Sequence, residues 1–385
     1  MIDLNIENRE ICCGCSACAE SCPVGCITME RDKLGFLYPS IDSARCIRCG
    51  VCERVCPALQ ELPPRNTDLP QAYAAAEDGS GIRPFSSSGG LFGVLGEYVV
   101  SQGGVVFGAA FEEGFRSVSH IGAASAQTLP RLWGAKYAQS HIRRTYQEAR
   151  ACLEQGQMVL FSGTPCQIAG IRAFLGRDYE NLFLLDIVCH GVPAPYVWDD
   201  YLGHIEQKYR GKAVKVSFRD KRRGWQDYVL AVSFDNGREY TNGRGDDLYM
   251  RGFLHNQYLR PSCYACKHKS AASSADITLG DLWGAEKLCP ELHDNKGTSL
   301  VLLRSAKGRL LFDRILPYIK YRPVDIREAI KCNPAIVSST QSNPKSAVFE
   351  RKFRGQPVYR LLKKHCSRPL YKRCLHGIKR LVKGR

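Results

Sequence analysis

Beyond residue 71 the chain alternates between two hydrophobic periods. Apolar residues at helical spacing run from the turn S-S-S-G-G (Ser86 to Gly90) to Ser101, and V-V-F-G-A-A-F follows as a strand. Ile142 to Gln155 is an amphipathic helical stretch ahead of the strand M-V-L-F, and Gln167 to Leu175 is a second one ahead of the apolar run L-F-L-L-D-I-V. Helix and strand in alternation over about 130 residues predict an α/β body. From Ala213 to Tyr240 the period becomes two, the mark of half-buried strands, with D-N-G at 235–237 as a hairpin turn. A strand T-S-L-V-L-L-R-S and a helix from Arg309 to Ile319 close the body. Near the front, I-T-M-E-R-D-K-L-G-F-L-Y-P alternates around a glycine and predicts a short hairpin. Glu61 to Pro70 holds three prolines and little to bury, so it reads as a linker. The pattern divides the chain into a small domain (1–60), a linker (61–71), an α/β domain (72–335) and a tail (336–385).

The small domain carries the densest chemistry. C-C-G-C-S-A-C-A-E-S-C-P starts at Cys12, and C-I-R-C-G-V-C-E-R-V-C-P starts at Cys46. Both fit C-x2-C-x2-C-x3-C-P, the run of bacterial two-cluster ferredoxins, in which the fourth cysteine of each run ligates the other cluster. That crossing assigns cluster one to Cys12, Cys15, Cys18 and Cys56, and cluster two to Cys46, Cys49, Cys52 and Cys22. Zinc needs two C-x2-C pairs for four ligands, whereas each run here offers three evenly spaced cysteines and a fourth before proline. Two 4Fe-4S clusters are therefore expected. The fold class is α+β: a bacterial-type two-cluster ferredoxin domain followed by an α/β domain with a mixed sheet.

Composition narrows the setting. Charged residues at 24% and hydrophobics at 44% describe a soluble globular protein. The start, M-I-D-L-N-I-E-N-R-E, is acidic and lacks an apolar core, so no secretory leader is expected. Nineteen cysteines without an export signal point to metal ligation and a reducing cytoplasm. The net charge of +16 is concentrated at the end, where Lys345 to Arg385 holds 14 Lys and Arg against one acid, Glu350. In that stretch Val358, Leu361, Leu362, Tyr371, Cys374, Leu375, Ile378, Leu381 and Val382 recur at helical spacing, broken by Pro369. The tail reads as a solvated basic terminus, a helix lying at the inner membrane face, or a dock for an acidic partner. No nucleic-acid module is present, so specific nucleic acid is not expected.

A second group of cysteines lies in the α/β body. Cys166 sits in S-G-T-P-C-Q, Cys189 in I-V-C-H-G, and Cys263 and Cys266 in C-Y-A-C. By spacing alone they are a third cluster site, a zinc site or unrelated buried cysteines. Cys13, Cys26, Cys152, Cys289, Cys332, Cys366 and Cys374 receive no role.

The ordered motifs S-S-G-G-L-F-G, W-G-A-K-Y-A-Q-S, G-T-P-C-Q-I-A-G, D-I-V-C-H-G-V-P, C-Y-A-C-K and S-A-D-I-T-L-G-D-L-W-G resemble the beta subunit of coenzyme F420 hydrogenase and formate dehydrogenase from about Gln71 to Ile330, with the ferredoxin domain in front. The resemblance implies FAD, a 4Fe-4S cluster on Cys166, Cys189, Cys263 and Cys266, and coenzyme F420 as hydride carrier. It also implies redox partners or a small-molecule substrate, in some relatives within polysaccharide biosynthesis. Ser87, Ser88, Gly89 and Gly90 open a helix whose N-terminus suits a pyrophosphate. Alone they are a serine cap with a glycine turn. Lys136, beside Tyr137, places a cation for the reduced flavin, or is a solvated surface lysine. Thr164 and Gln167 flank Cys166, so cluster and flavin are expected to share a wall. Lys296, Gly297 and Thr298, in D-N-K-G-T-S, resemble a flavin-lining loop and otherwise form a plain turn. His190 is the candidate proton donor, with a hydrogen bond to cluster or backbone as the alternative. The reading is an iron–sulfur flavoprotein oxidoreductase. The alternatives are a ferredoxin-type electron-transfer subunit without catalysis and a membrane-associated adaptor.

Overall fold

The structure, a computed structural model, describes residues 10–60, 63, 69–269, 273–353 and 356–367. In the small domain α1 (Ala17–Glu20) and α2 (Val51–Arg54) each follow a cysteine loop, and β1 (Ile27–Arg31) pairs antiparallel with β2 (Leu37–Ile41), which is the expected hairpin. The body begins with β3 (Gln71–Glu77), α3 (Leu91–Ser101), β4 (Val105–Phe111), β5 (Val118–Ala123), β6 (Ser140–His141), α4 (Thr145–Glu154), β7 (Val159–Gly163), α5 (Pro165–Leu175) and β8 (Leu182–Ile187). It continues through α6 (Pro195–Tyr209), β9 (Ala213–Asp220), β10 (Val229–Phe234), β11 (Glu239–Gly243), α7 (Leu248–Leu254), β12 (Ile277–Asp281) and α8 (Ala285–Leu288). The last elements are β13 (Ser299–Leu303), α9 (Ala306–Ile315), β14 (Ile319–Val324), α10 (Ile326–Cys332), α11 (Ser346–Lys352) and α12 (Val358–Cys366).

Among the described residues the main sheet runs β14-β3-β13-β12-β8-β7-β4-β5-β6. Its centre, β12-β8-β7-β4, is parallel, and β14, β3 and β13 are added antiparallel, so the sheet is mixed. Parallel strands need helical crossovers that cover both faces. Here α3 and α9 cover one face through Leu91, Leu95, Leu311 and Phe312, and α4 and α5 cover the other through Tyr146, Ile168 and Phe174. The strand-to-helix turn at Thr164 is built by its sequence. Proline stands at the first helical position, and Thr164 and Gln167 form a reciprocal capping box. The second sheet, β11-β10-β9, packs with α6 and α7 around Trp198, Phe218 and Tyr249.

Three features differ from the sequence pattern. The closing helix ends at Ile315, because Pro317 follows and Ile319 starts the edge strand β14. The small domain is not a separate bead, since Leu34, Phe36 and Tyr38 of its hairpin share a buried core with Trp198, Tyr258 and Leu361. The linker expected from Glu61 to Pro70 lies mostly outside the described residues. In the tail, Val358, Leu361, Leu362 and Cys366 are buried on α6 and α7, so that apolar face is occupied within the chain. Tyr371 to Val382 lie outside the described residues. No described helix is long and apolar enough to cross a membrane.

Candidate functional site

The two cysteine runs fold into two cavities that exchange their fourth cysteines. One, of about 50 Å³, is lined by Cys12, Cys15, Cys18 and by Cys56 of the second run. The other, of about 220 Å³, is lined by Cys46, Cys49, Cys52 and by Cys22 of the first. Each also has a fifth cysteine: Cys13 in the first, and in the second Cys26, whose Sγ is 3.4 Å from that of Cys22. Burial first, then the neighbouring thiols of Cys12 and Cys56, pushes the Cys18 thiol up to about 12. A site that suppresses thiolate so strongly has its anions paid for by whatever cation it binds. Among the described residues no group of three His, Cys, Asp or Glu is arranged to hold a metal ion. A cube of iron and sulfide spreads four thiolates over four irons, unlike one tetrahedral zinc with all four sulfurs at about 2.3 Å. Cysteines ringing a cavity fit the cube.

Cys166, Cys189, Cys263 and Cys266 come from α5, the end of β8 and the loop before β12, and the fold brings them together. Burial raises the Cys189 thiol, and Cys263, Cys166 and Cys266 raise it further. Burial likewise pushes Cys263 up to about 12, with Cys166 and Cys266 adding to it. The Val192 amide donates to Cys263 Sγ at 3.4 Å, and the Thr164 hydroxyl lies 3.1 Å from Cys166 Sγ.

Beside this set is a cavity of about 310 Å³, the size of a cofactor pocket. Ser87, Ser88, Gly90, Lys136, Tyr137, Thr164, Cys166 and Gln167 all line it, and so does Cys13 of the small domain. Over Ser86, Ser87, Trp133 to Lys136 and Arg219 it shares its lining with an open cleft of about 1540 Å³. That cleft is bordered by Arg83, Arg131, Lys215, Lys221, Arg222 and Lys296 against fewer acids. Such a surface suits a polyanionic ligand.

Lys136 Nζ donates to the Trp133 carbonyl at 2.7 Å, and burial pushes it down to about 7. Lys221 is also pushed down to about 7, by burial and then by Arg83 and Arg219, while its Nζ donates to the carbonyls of Arg83, Ser88 and Lys296 at 2.6, 3.0 and 2.7 Å. Burial pushes His120 down to about 4, so it is neutral, with Nε2 2.9 Å from the Ser162 carbonyl oxygen. Trp133 Nε1, His120 Nδ1, and Nε and one terminal nitrogen of Arg219 are buried without partners among the described residues. All three residues line the smaller cavity. Trp133 Nε1 and the Arg219 nitrogens are unsatisfied donors, while His120 Nδ1, with Nε2 donating to the Ser162 carbonyl, is an unsatisfied acceptor; a ring system that offers acceptors and an N–H, such as flavin, fits such a wall.

Some expected residues support the walls without lining them. The Gly89 amide is taken by Ser299 Oγ at 2.9 Å, and Ser88 Oγ donates to the Thr298 carbonyl at 3.0 Å. Thr298 Oγ1 donates to the Leu292 carbonyl at 3.0 Å. Gly297 has φ +113°, and a Cβ there would lie 2.5 Å from the Ser88 carbonyl oxygen, so glycine lets the two loops meet. His190 faces elsewhere: Nε2 is 2.8 Å from Asn256 Oδ1, its ring stands edge-on to Phe253, and it lines neither cavity. Sequence reasoning missed Arg83, Trp133, His120, Arg219 and Lys221. The run R-D-K-R-R-G-W was the available signal for Arg219 and Lys221, at the end of β9.

The fold and sites describe an iron–sulfur protein: a two-cluster ferredoxin domain packed on an α/β domain with a cofactor-sized cavity. Residues 11–59 match the 4Fe-4S dicluster domain, and residues 156–326 match the C-terminal part of the beta subunit of coenzyme F420 hydrogenase/dehydrogenase. The chain is thus similar over residues 156–326 to the C-terminal part of that beta subunit, and over residues 11–59 to dicluster ferredoxin domains. It is 28% identical over 320 residues to a coenzyme F420-dependent sulfite reductase of Methanocaldococcus jannaschii, covering 79% of this chain and 46% of that protein. Over 59 residues it is 39% identical to a ferredoxin of Saccharopolyspora erythraea, covering 15% of this chain and 49% of that one. The chain spans about half the length of the curated relatives it matches. In fold it is similar to a chain of the F420-reducing [NiFe] hydrogenase complex of Methanosarcina barkeri, with TM-score 0.50 and 16% identity over 81% of this chain and 100% of that chain.

Proposed function

We propose that the chain is an iron–sulfur flavoprotein oxidoreductase that moves electrons between a hydride carrier of the F420 type and a redox partner. Cys13 carries this reading: it lines both the cluster-one cavity and the flavin-sized cavity, whose wall also holds Cys166. A flavin takes electrons as a hydride and releases them singly, and 4Fe-4S clusters pass them one at a time. In this reading Cys166, Cys189, Cys263 and Cys266 hold a third cluster. Lys136, Trp133 and Arg219 orient the ring system, and Lys136 keeps a cation or a proton at its edge. Arg131, Lys215 and Lys296 bind the anionic end of the hydride carrier, and Lys221 ties the carbonyls of Arg83, Ser88 and Lys296 together behind it. His190 fixes the turn after Cys189 through Asn256.

Cluster two is the exit. Cys49 is exposed there, beside Ile47 at 62% exposure and the exposed Arg45, Arg48 and Arg54. A partner with an acidic rim fits that surface. Iron, sulfide and flavin per chain, measured on anaerobically purified protein, test the assignment. About twelve irons, by the three-cube ligand count, and one FAD are expected. About eight irons and no flavin would leave a ferredoxin fused to a binding domain.

A further inference from the structure

Arg260 stands between the two halves of the chain. It lies in R-P-S-C, three residues before Cys263, and is fully buried at 0% exposure. Its Nε donates to the Cys12 carbonyl at 2.7 Å, and one terminal nitrogen donates to the Leu37 carbonyl at 2.8 Å. The same nitrogen is 3.6 Å from Cys12 Sγ, and the other is 3.4 Å from Gln139 Oε1. The guanidinium covers the ring of Tyr38 at 4.2 Å and lies 5.5 Å from that of Phe36. Gly14, in C-C-G-C, makes room: it has φ +69°, and a Cβ there would lie 2.9 Å from an Arg260 terminal nitrogen.

No carboxylate is among its described partners. A guanidinium taken out of water is costly unless an anion faces it. Among the described residues the titratable groups that weigh most on it are Tyr38 and the thiols of Cys12, Cys13 and Cys263. A neutral thiol does not balance a cation, whereas a thiolate bound to a cluster does.

We infer that Arg260 is the counter-cation of the cluster held by Cys12, Cys15, Cys18 and Cys56, and that it eases that cluster's one-electron reduction. The inference rests on the cluster reading above. The four-thiolate cluster is an anion that gains one more negative charge on reduction, with no proton needed. A fixed buried cation and a hydrogen bond to a ligand sulfur both favour the more negative state. Arg260 thus positions the Cys12 loop and biases an electron entering at the flavin side toward cluster one. Arg48, the arginine lining the cluster-two cavity, is exposed and screened by water.

The test compares the full-length chain with Arg260→Gln and Arg260→Lys, each purified anaerobically, by iron and sulfide content and by EPR-monitored redox titration. Repeating the titration in Cys49→Ser, which dismantles cluster two, and in Cys266→Ser, which dismantles the site of Cys166, Cys189, Cys263 and Cys266, assigns the signals. In Arg260→Gln the reduced-to-oxidised ratio of cluster one at a fixed potential should fall about tenfold, equal to about 59 mV for a one-electron couple. Cluster two should be unchanged, and Arg260→Lys should restore most of the ratio. Full iron with an unshifted cluster one in Arg260→Gln overturns the inference, and so does an equal shift in both variants. Should Arg260→Gln lose cluster one, Arg260→Lys decides: retention near the unsubstituted potential supports the charge role, and loss there too shows that shape alone matters. Absence of iron from the Cys12 site of the unsubstituted chain would instead defeat the cluster reading itself.

Discussion

Flavin binding should take up one proton, and Lys136 receives it. Its amine, ordinarily at 10.5, is pushed down to about 7 by burial in the cavity wall. The acceptor edge of the flavin ring beside it favours the ammonium, so the ligand-bound value lies above the ligand-free one. Below about pH 7 the lysine is charged in both states and affinity is flat. Above it, each ligand bound draws in one proton, and affinity falls about tenfold per pH unit. Across two units that is about a hundredfold, or about 2.7 kcal/mol at about 1.36 kcal/mol per unit. Fluorescence titration of the flavin-depleted chain with FAD between about pH 6 and pH 9 reads the slope directly. Lys136→Met should weaken binding at pH 6 and lower the slope by one proton. An affinity for FAD that does not change over this range, or a Lys136→Met slope equal to that of the unsubstituted chain, would refute the reasoning.

Other expectations follow from the packing. Leu361→Ala removes a fully buried side chain and should cost about 2–5 kcal/mol in denaturant unfolding. An unchanged midpoint would mean that the helix does not pack as described. Gly297→Ala, with its Cβ against the Ser88 carbonyl, should cost about 1–3 kcal/mol and lower flavin content. Full flavin at unchanged stability would contradict the loop contact. Cys49→Ser should lose about four irons, one cube by the ligand count, and leave the cluster-one signal in place. Loss of both signals would show that the sites fold as a unit. Arg48→Glu should slow electron delivery to an acidic acceptor such as a plant-type ferredoxin and flatten its dependence on salt, without altering flavin reduction.

The chemistry carried by spacing was legible. Cys12 to Cys56 declare their pairing because the loops are local, and T-P-C-Q declares a capped helix because Thr164 and Gln167 are three residues apart. Longer-range relations were not. For Cys166, Cys189, Cys263 and Cys266 spacing left a cluster, a zinc site and unrelated cysteines open, because three separate segments supply them, and only the family resemblance favoured the cluster. Arg219 and Lys221, in R-D-K-R-R-G-W, drew no reading in the sequence, yet both line the cleft from the end of β9. Val358, Leu361 and Leu362 showed an apolar helical face, but α6 and α7, which cover it, lie more than a hundred residues away in sequence. Arg260 gave no signal, since only the folded chain places it against Cys12 and Leu37.

The most direct test of the account is anaerobic mixing of the flavin- and cluster-loaded chain with reduced coenzyme F420, followed by absorbance and EPR. The account predicts that the flavin bands bleach first, that the broad cluster absorbance falls after them, and that reduced-cluster EPR signals grow in step. A flavin that stays oxidised would contradict F420 as the hydride carrier. A flavin that is reduced while the clusters stay oxidised would contradict the central claim that the cavity wall shared by Cys13 and Cys166 carries electrons into the ferredoxin domain.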